Sequence, residues 1–257
     1  MHGLPRKRRP AAIYSSMRSG STLLKALLGT NPEVSHVPEV HFGEWPDEPN
    51  AFYLRLWKLA REPVVVLKRP CFYSDVPDYP FLLPMPFVPI VLIRNPVDTI
   101  ASLEKRVQER DAVRRNFESW GRGFLPYWCD VYRNIHERLG AAGVSSHVVF
   151  YEELLEDPVR VTESIFTELG VSDTHGVSEY RPYGKWTWGK DDAGDKIRQL
   201  TVQGGPSERS AEARRWEEEI RQSAEATDVM RLYRNAEGRR YDEYLGEAGW
   251  LPERARD

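Results

Sequence analysis

Residues 18–23, Arg-Ser-Gly-Ser-Thr-Leu, place one guanidinium, one glycine and three hydroxyls side by side. They follow a short apolar run at 11–15. They open a segment, 21–28, whose Leu23, Leu24, Leu27 and Leu28 fall on one helical face. A turn of this makeup between a strand and a helix is suited to hold an anion. The first N–H groups of the helix lack partners, and the positive end of its dipole faces the turn. Gly20 lets the backbone approach the anion closely, while Arg18, Ser19, Ser21 and Thr22 add donors. Read alone, the stretch also fits an ordinary Ser-capped helix. The phosphate-loop signature GxxxxGK[ST] is absent.

A second element of the same kind lies at 94–106. Arg94 ends the apolar run 88–94, and Asn95-Pro96 opens a helix at the position where proline is tolerated. Ser102 falls two turns into that helix, and Arg106 follows one turn later on the same side. Arg94, Ser102 and Arg106 so spaced can hold a second phosphate. Arg106 also fits a solvated basic face, since Lys105, Arg110, Arg114 and Arg115 surround it.

The elements that must position these residues are legible as apolar runs. Runs 11–15, 63–68, 88–94 and 146–151 have strand length, and continuous apolar strands between helices point to a parallel sheet covered on both faces. Helical segments are expected over 21–28, 50–61, 96–108 and 114–139, the last bent at Gly121, Gly123 and Pro126. A further helix follows Pro158, and a charged amphipathic one spans 207–234. The aromatic stripe from Phe117 to Tyr132 reads as core rather than as an acceptor pocket. Residues 172–206 show no period and read as a long functional loop. The expected fold class is α/β, a single domain with a central parallel sheet flanked by helices over 11–257, preceded by a basic tail at 1–10. Both anion elements then lie beyond the carboxyl ends of strands, where open α/β sheets bind ligands.

Composition narrows the function classes. The 257 residues are 40% hydrophobic and 29% charged with net charge −3, a globular mixture and an unusual balance for a dedicated nucleic-acid binder. Cys71 and Cys129 form no CxxC pattern, and no signal peptide or membrane span is evident, so a reducing cytoplasm is the expected home. His36, Glu39 and His41 lie close in sequence but lack the HExxH spacing, so no metal site is expected.

Two anion sites without a phosphate-loop lysine resemble the sulfotransferases that use 3′-phosphoadenosine 5′-phosphosulfate (PAPS). RSGSTLL resembles their 5′-phosphosulfate loop and RNPVDTIAS their 3′-phosphate element. The arginine form of the loop is closest to the tyrosylprotein, Golgi-type and bacterial branches. NPEVSHVPE resembles a segment ending in a general-base Glu, which falls on Glu39. VVVLKRPCF resembles a strand ending in a Lys near the transferring group, which falls on Lys68. VVFYEELLEDP places a cofactor-contacting Tyr at Tyr151, and GKWTWG places a closing Lys at Lys185.

The resemblance implies a P-loop-like sulfotransferase fold, PAPS as cofactor and 3′,5′-bisphosphoadenosine as product. Catalysis falls to Glu39, Lys68 and Arg18. Nucleotide binding falls to Arg18, Ser19, Gly20, Ser21, Thr22, Leu23, Arg94, Ser102, Arg106, Tyr151 and Lys185. A sulfuryl group carries less charge than a phosphoryl group, so transfer needs positioning and charge stabilisation more than a metal. His36 or His41 stays open as an alternative base, and Lys68 also fits a strand-end cap. The expected partner is a small-molecule acceptor, a phenol, sugar or natural-product alcohol, with no nucleic acid and no membrane span. Oligomeric state is open, a homodimer included. Acceptor choice falls to segments 42–53, 71–87 and 172–205. The rival class is a phosphate-loop nucleotide or small-molecule kinase, which needs the missing lysine and a magnesium carboxylate.

Overall fold

Alternation along five strands decides the architecture. In β1 (Arg9–Ser16), Ala11 and Ile13 pack on one face of the sheet, and Ala12 and Tyr14 on the other. β3 (Val64–Cys71) splits in the same way, with Val64 and Val66 on the first face and Val65 and Leu67 on the second. β4 (Val88–Ile93) repeats it, with Ile90 and Leu92 set against Val91 and Ile93. A strand buried on both faces has to be apolar at every position, which is why these segments read as continuous runs. With β2 (Val34–His36) and β5 (His147–Phe150), they form a five-stranded sheet in the order β2-β3-β1-β4-β5, parallel at every pairing. These features come from a computed structural model, which describes residues 9–36, 62–71, 86–179 and 211–249.

The chain moves to one side of β1 for β2 and β3, then to the other for β4 and β5. That reversal opens a crevice at the carboxyl end of β1, and helices start along this edge. α1 (Ser21–Leu28) follows β1, α2 (Pro96–Glu109) follows β4, and α5 (Tyr151–Glu156) follows β5 directly. α6 (Pro158–Leu169) joins α1 on the first face. The second face is covered by α2, α3 (Asp111–Trp120), α4 (Phe124–Ala141), α7 (Ala211–Gln222), α8 (Ala224–Arg231) and α9 (Tyr241–Glu247). Among the described residues, no helix is long and apolar enough to cross a membrane.

Several boundaries differ from the sequence expectation. β1 starts at Arg9, whose N–H donates to the Pro63 carbonyl at 2.8 Å, so Arg9 and Pro10 are strand rather than tail. The expected long helix 114–139 is broken, not bent: Gly121 and Gly123 sit at φ 74° and 89°, which a right-handed helix cannot contain. Pro126 then falls in the first turn of α4. The tail helix is also two helices, because the Ser223 side chain accepts from the Ala226 N–H and caps α8. The three-residue β2 and the seven-residue α9 are too short to show a period. The expected helix at 50–61 and most of the long loop, from 180 onward, lie outside the described residues. The stretch 172–179 is irregular, apart from a bridge position at 179.

Candidate active site

α1 starts with its donors uncapped. Gly20 is the N-cap at φ 90°, and no side chain among the described residues caps the helix. The Leu23 and Leu24 N–H groups both return to the Gly20 carbonyl, at 2.9 and 3.2 Å. Ahead of it the turn folds on itself, with Ser19 Oγ donating to the Ser16 carbonyl at 2.8 Å. Arg18 stands at φ 65°, a left-handed conformation uncommon for a residue with a Cβ and tolerated where a turn is over-determined. Ser21 is buried, and Thr22 and Leu23 are half-buried along the first turn.

The aromatic stripe of α4 is core, as its pattern indicates, with Tyr127, Trp128 and Tyr132 fully buried. It also does something the pattern does not reveal: its hydroxyls hold the turn. Tyr132 Oη donates to the Leu92 carbonyl at 2.9 Å and accepts from the Ser16 N–H at 3.4 Å. Tyr127 Oη accepts from the Met17 N–H at 3.4 Å.

Lys68 shares the β3 face of Val64 and Val66, and its register partner on β1 is Ile13. That face lies under α1, so the buried stem carries Nζ to the first turn, where it donates to Thr22 Oγ1 at 2.7 Å. From the other side of β1 comes Arg94. Its Nη1 donates to the Arg18 carbonyl at 3.1 Å, its guanidinium lies 4.7 Å over the Tyr151 ring, and Asp98 pairs with it at 3.7 Å. Arg94 Nε is buried and has no acceptor among the described residues. Arg18 Nε donates to Ser102 Oγ at 3.0 Å, joining residues 84 apart in sequence. Arg106 lies one turn beyond Ser102 and is half-buried.

Tyr151 completes the cluster by lying on Gly20. A Cβ at Gly20 would stand 2.1 Å from Tyr151 Cε2, so the glycine is required by contact as well as by φ. Burial raises the Tyr151 hydroxyl above its ordinary value, and the charge on Arg94 opposes that rise. Asn95 caps α2 by accepting from the Asp98 N–H at 2.8 Å. Its own N–H and Nδ2 both donate to Glu152 Oε1.

The cluster therefore brings together Arg18, Gly20, Thr22, Lys68, Arg94, Ser102 and Tyr151, with Ser19, Ser21 and Leu23 on the same turn. The Arg18 side chain is directed to Ser102, in the second anion element, while Lys68 serves the first turn of α1. His36 closes β2; Glu39, His41 and Lys185 lie outside the described residues. Sequence reading assigned no role to Asn95, Asp98, Glu152 or the two α4 hydroxyls. The Asn-Pro pair signals the cap, but a contact across the sheet leaves no trace in spacing.

No family model and no curated protein matches the sequence. Solved structures do. The sulfotransferase domain of the Synechococcus PCC 7002 olefin synthase matches at TM-score 0.57 and 22% identity, over 90% of this chain and 96% of its own. The sulfotransferase domain from the curacin biosynthetic pathway matches at 0.51 and 18%, over 84% and 98%. A mouse sulfotransferase, SULT7A1, complexed with PAP, aligns at 0.46 and 16%, over 88% of each chain. The described chain thus has the α/β fold of sulfotransferase domains, with its cationic cluster at the carboxyl end of the sheet.

Proposed function

We propose that this protein is a sulfotransferase that takes PAPS and moves its sulfuryl group to the hydroxyl of a small-molecule acceptor. The observation that carries the reading is the joining of two separate anion elements through Arg18–Ser102 and Arg94–Arg18. A single phosphate would need only one of them. Two features fit the nucleotide: the uncapped start of α1, and the buried Arg94 Nε, which has no acceptor among the described residues. Both leave donors for oxyanions.

The α1 turn, residues 19–23, binds the 5′ side through N–H groups and hydroxyls. Arg94, Ser102 and Arg106 bind the 3′-phosphate, with Tyr151 packed between the two elements. When bound, PAPS supplies the sulfuryl group and departs as 3′,5′-bisphosphoadenosine. Lys68 stabilises charge at the reacting end of the turn, and Arg18 spans the two elements. Glu39 holds the acceptor proton as it leaves, and Lys185 closes over the nucleotide. The acceptor class is a phenol, sugar or natural-product alcohol.

Titration with bisphosphoadenosine tests the binding half, and labelled PAPS with an acceptor panel tests transfer. Tight binding of bisphosphoadenosine, weaker binding of 5′-AMP and turnover that collapses in Glu39→Gln are the expected results. Magnesium-dependent ATP turnover without bisphosphoadenosine binding would replace this function with that of a kinase.

A further inference from the structure

The Glu152 carboxylate is enclosed by donors for which the roles above give no reason. Oε1 accepts from the Asn95 N–H and from Asn95 Nδ2, both at 2.9 Å. Oε2 accepts from the Tyr241 hydroxyl, also at 2.9 Å. Glu152 is 1% exposed and Tyr241 is fully buried. A carboxylate held out of water in this way persists only when its bonds are complete, and losing one partner is costly. Glu152 and its partner Asn95 each follow a residue of the cluster: Tyr151 precedes Glu152, and Arg94 precedes Asn95. Asn95 Oδ1 also accepts from the Asp98 N–H, Asn95 Nδ2 donates to Asp98 Oδ2, and Asp98 is the ion partner of Arg94. A continuous path therefore runs from Tyr241 on α9 through Glu152, Asn95 and Asp98 to Arg94.

We propose that Glu152, locked by Tyr241, is a positioning residue that sets Arg94 against the Tyr151 ring and so gives the site its preference for a nucleotide bearing a 3′-phosphate. The inference rests on the PAPS reading above. It makes the carboxyl-terminal helix part of the nucleotide site, acting through a hydroxyl rather than by touching the ligand.

The test compares bisphosphoadenosine with 5′-AMP, which lacks the 3′-phosphate, by titration calorimetry on the full chain. The variants are Tyr241→Phe and Glu152→Gln, with Tyr233→Phe as control. Tyr233→Phe also loses a buried hydroxyl bond, one that goes to the Tyr132 carbonyl. Wild type should prefer bisphosphoadenosine. Tyr241→Phe should weaken it about tenfold, the scale of one bond to a charged group, and change 5′-AMP by less than about twofold. Glu152→Gln should move the ratio the same way, and carries the test if Tyr241→Phe does not fold. Tyr233→Phe should lower the melting temperature and keep the ratio. Equal loss of both nucleotides, an unchanged ratio in folded Tyr241→Phe, or the same shift in Tyr233→Phe overturns the positioning role alone. A wild type without preference for the 3′-phosphate overturns the PAPS reading and this inference with it.

Discussion

At Gly20 two independent demands meet: φ of 90° and a tyrosine ring where a side chain would begin. Gly20→Ala should therefore cost more than the roughly 1 kcal/mol of a left-handed alanine, because the Tyr151 ring must also move. The expected outcome is a lower melting temperature together with loss of bisphosphoadenosine binding; an alanine variant that binds normally would show that the ring contact is dispensable. Cys129 gives a prediction of another kind. Burial, with the charge of Glu225 adding to it, pushes its thiol up to about 12 from an ordinary 9.0. Below pH 9 the thiol is protonated folded and unfolded, and the contribution to stability is complete. As pH rises toward 12 the unfolded chain ionises first, so stability is lost by at most about 1.4 kcal/mol per pH unit. Denaturant melts of Cys129→Ala should show a shallower alkaline decline than wild type. Arg18, Gly20 and Arg94 were legible in the sequence because each sits at a strand-to-helix turn with its own local signature, and Ser102 because helical spacing ties it to the second turn. The Tyr151 ring on Gly20 was not, because it is a meeting of two turns separated by a strand.

α4 shows how one helix serves two ends. Its apolar stripe fixes it against the sheet, and that stripe was readable from spacing. Its hydroxyls at Tyr127 and Tyr132 reach the turn before α1, which no periodicity encodes. Tyr132→Phe keeps the ring and removes the bonds to Leu92 and Ser16. It should lower stability by about 1 kcal/mol and weaken nucleotide binding, since the turn loses a brace. A variant with reduced stability and undiminished affinity would assign Tyr132 to the core alone. The helix breaks have a similar logic. Gly121 and Gly123 were read as bends, yet two positive-φ residues in three positions end a helix outright.

For the whole molecule, the sheet order turns a list of strands into a site. Parallel apolar strands were foreseeable, but not which pair flanks β1, since every run is equally apolar. The order places β3 and β4 on either side of it, and so Lys68 and Arg94 on either side of the turn. A ligand gripping both sides stabilises the domain as one body. Bisphosphoadenosine at a hundredfold excess over its Kd should add about 2.7 kcal/mol, a rise in melting temperature of roughly 5–10 °C. Added salt should reduce that rise, because the proposed contacts are ionic. A shift with magnesium-ATP and none with bisphosphoadenosine would contradict the assignment.

The Tyr151 ring that rests on Gly20 also bears on the order of assembly. β1 and its turn are made first, yet the ring arrives with β5, the last strand of the sheet. Contacts between distant parts of a chain form late, after the intervening segments have been laid down. On the proposed function, the turn would bind the nucleotide poorly in a half-built sheet and become competent when β5 docks. In refolding, recovery of nucleotide binding should lag recovery of secondary structure. On the ribosome, the turn synthesised earliest would wait for β5 before taking the shape proposed for it.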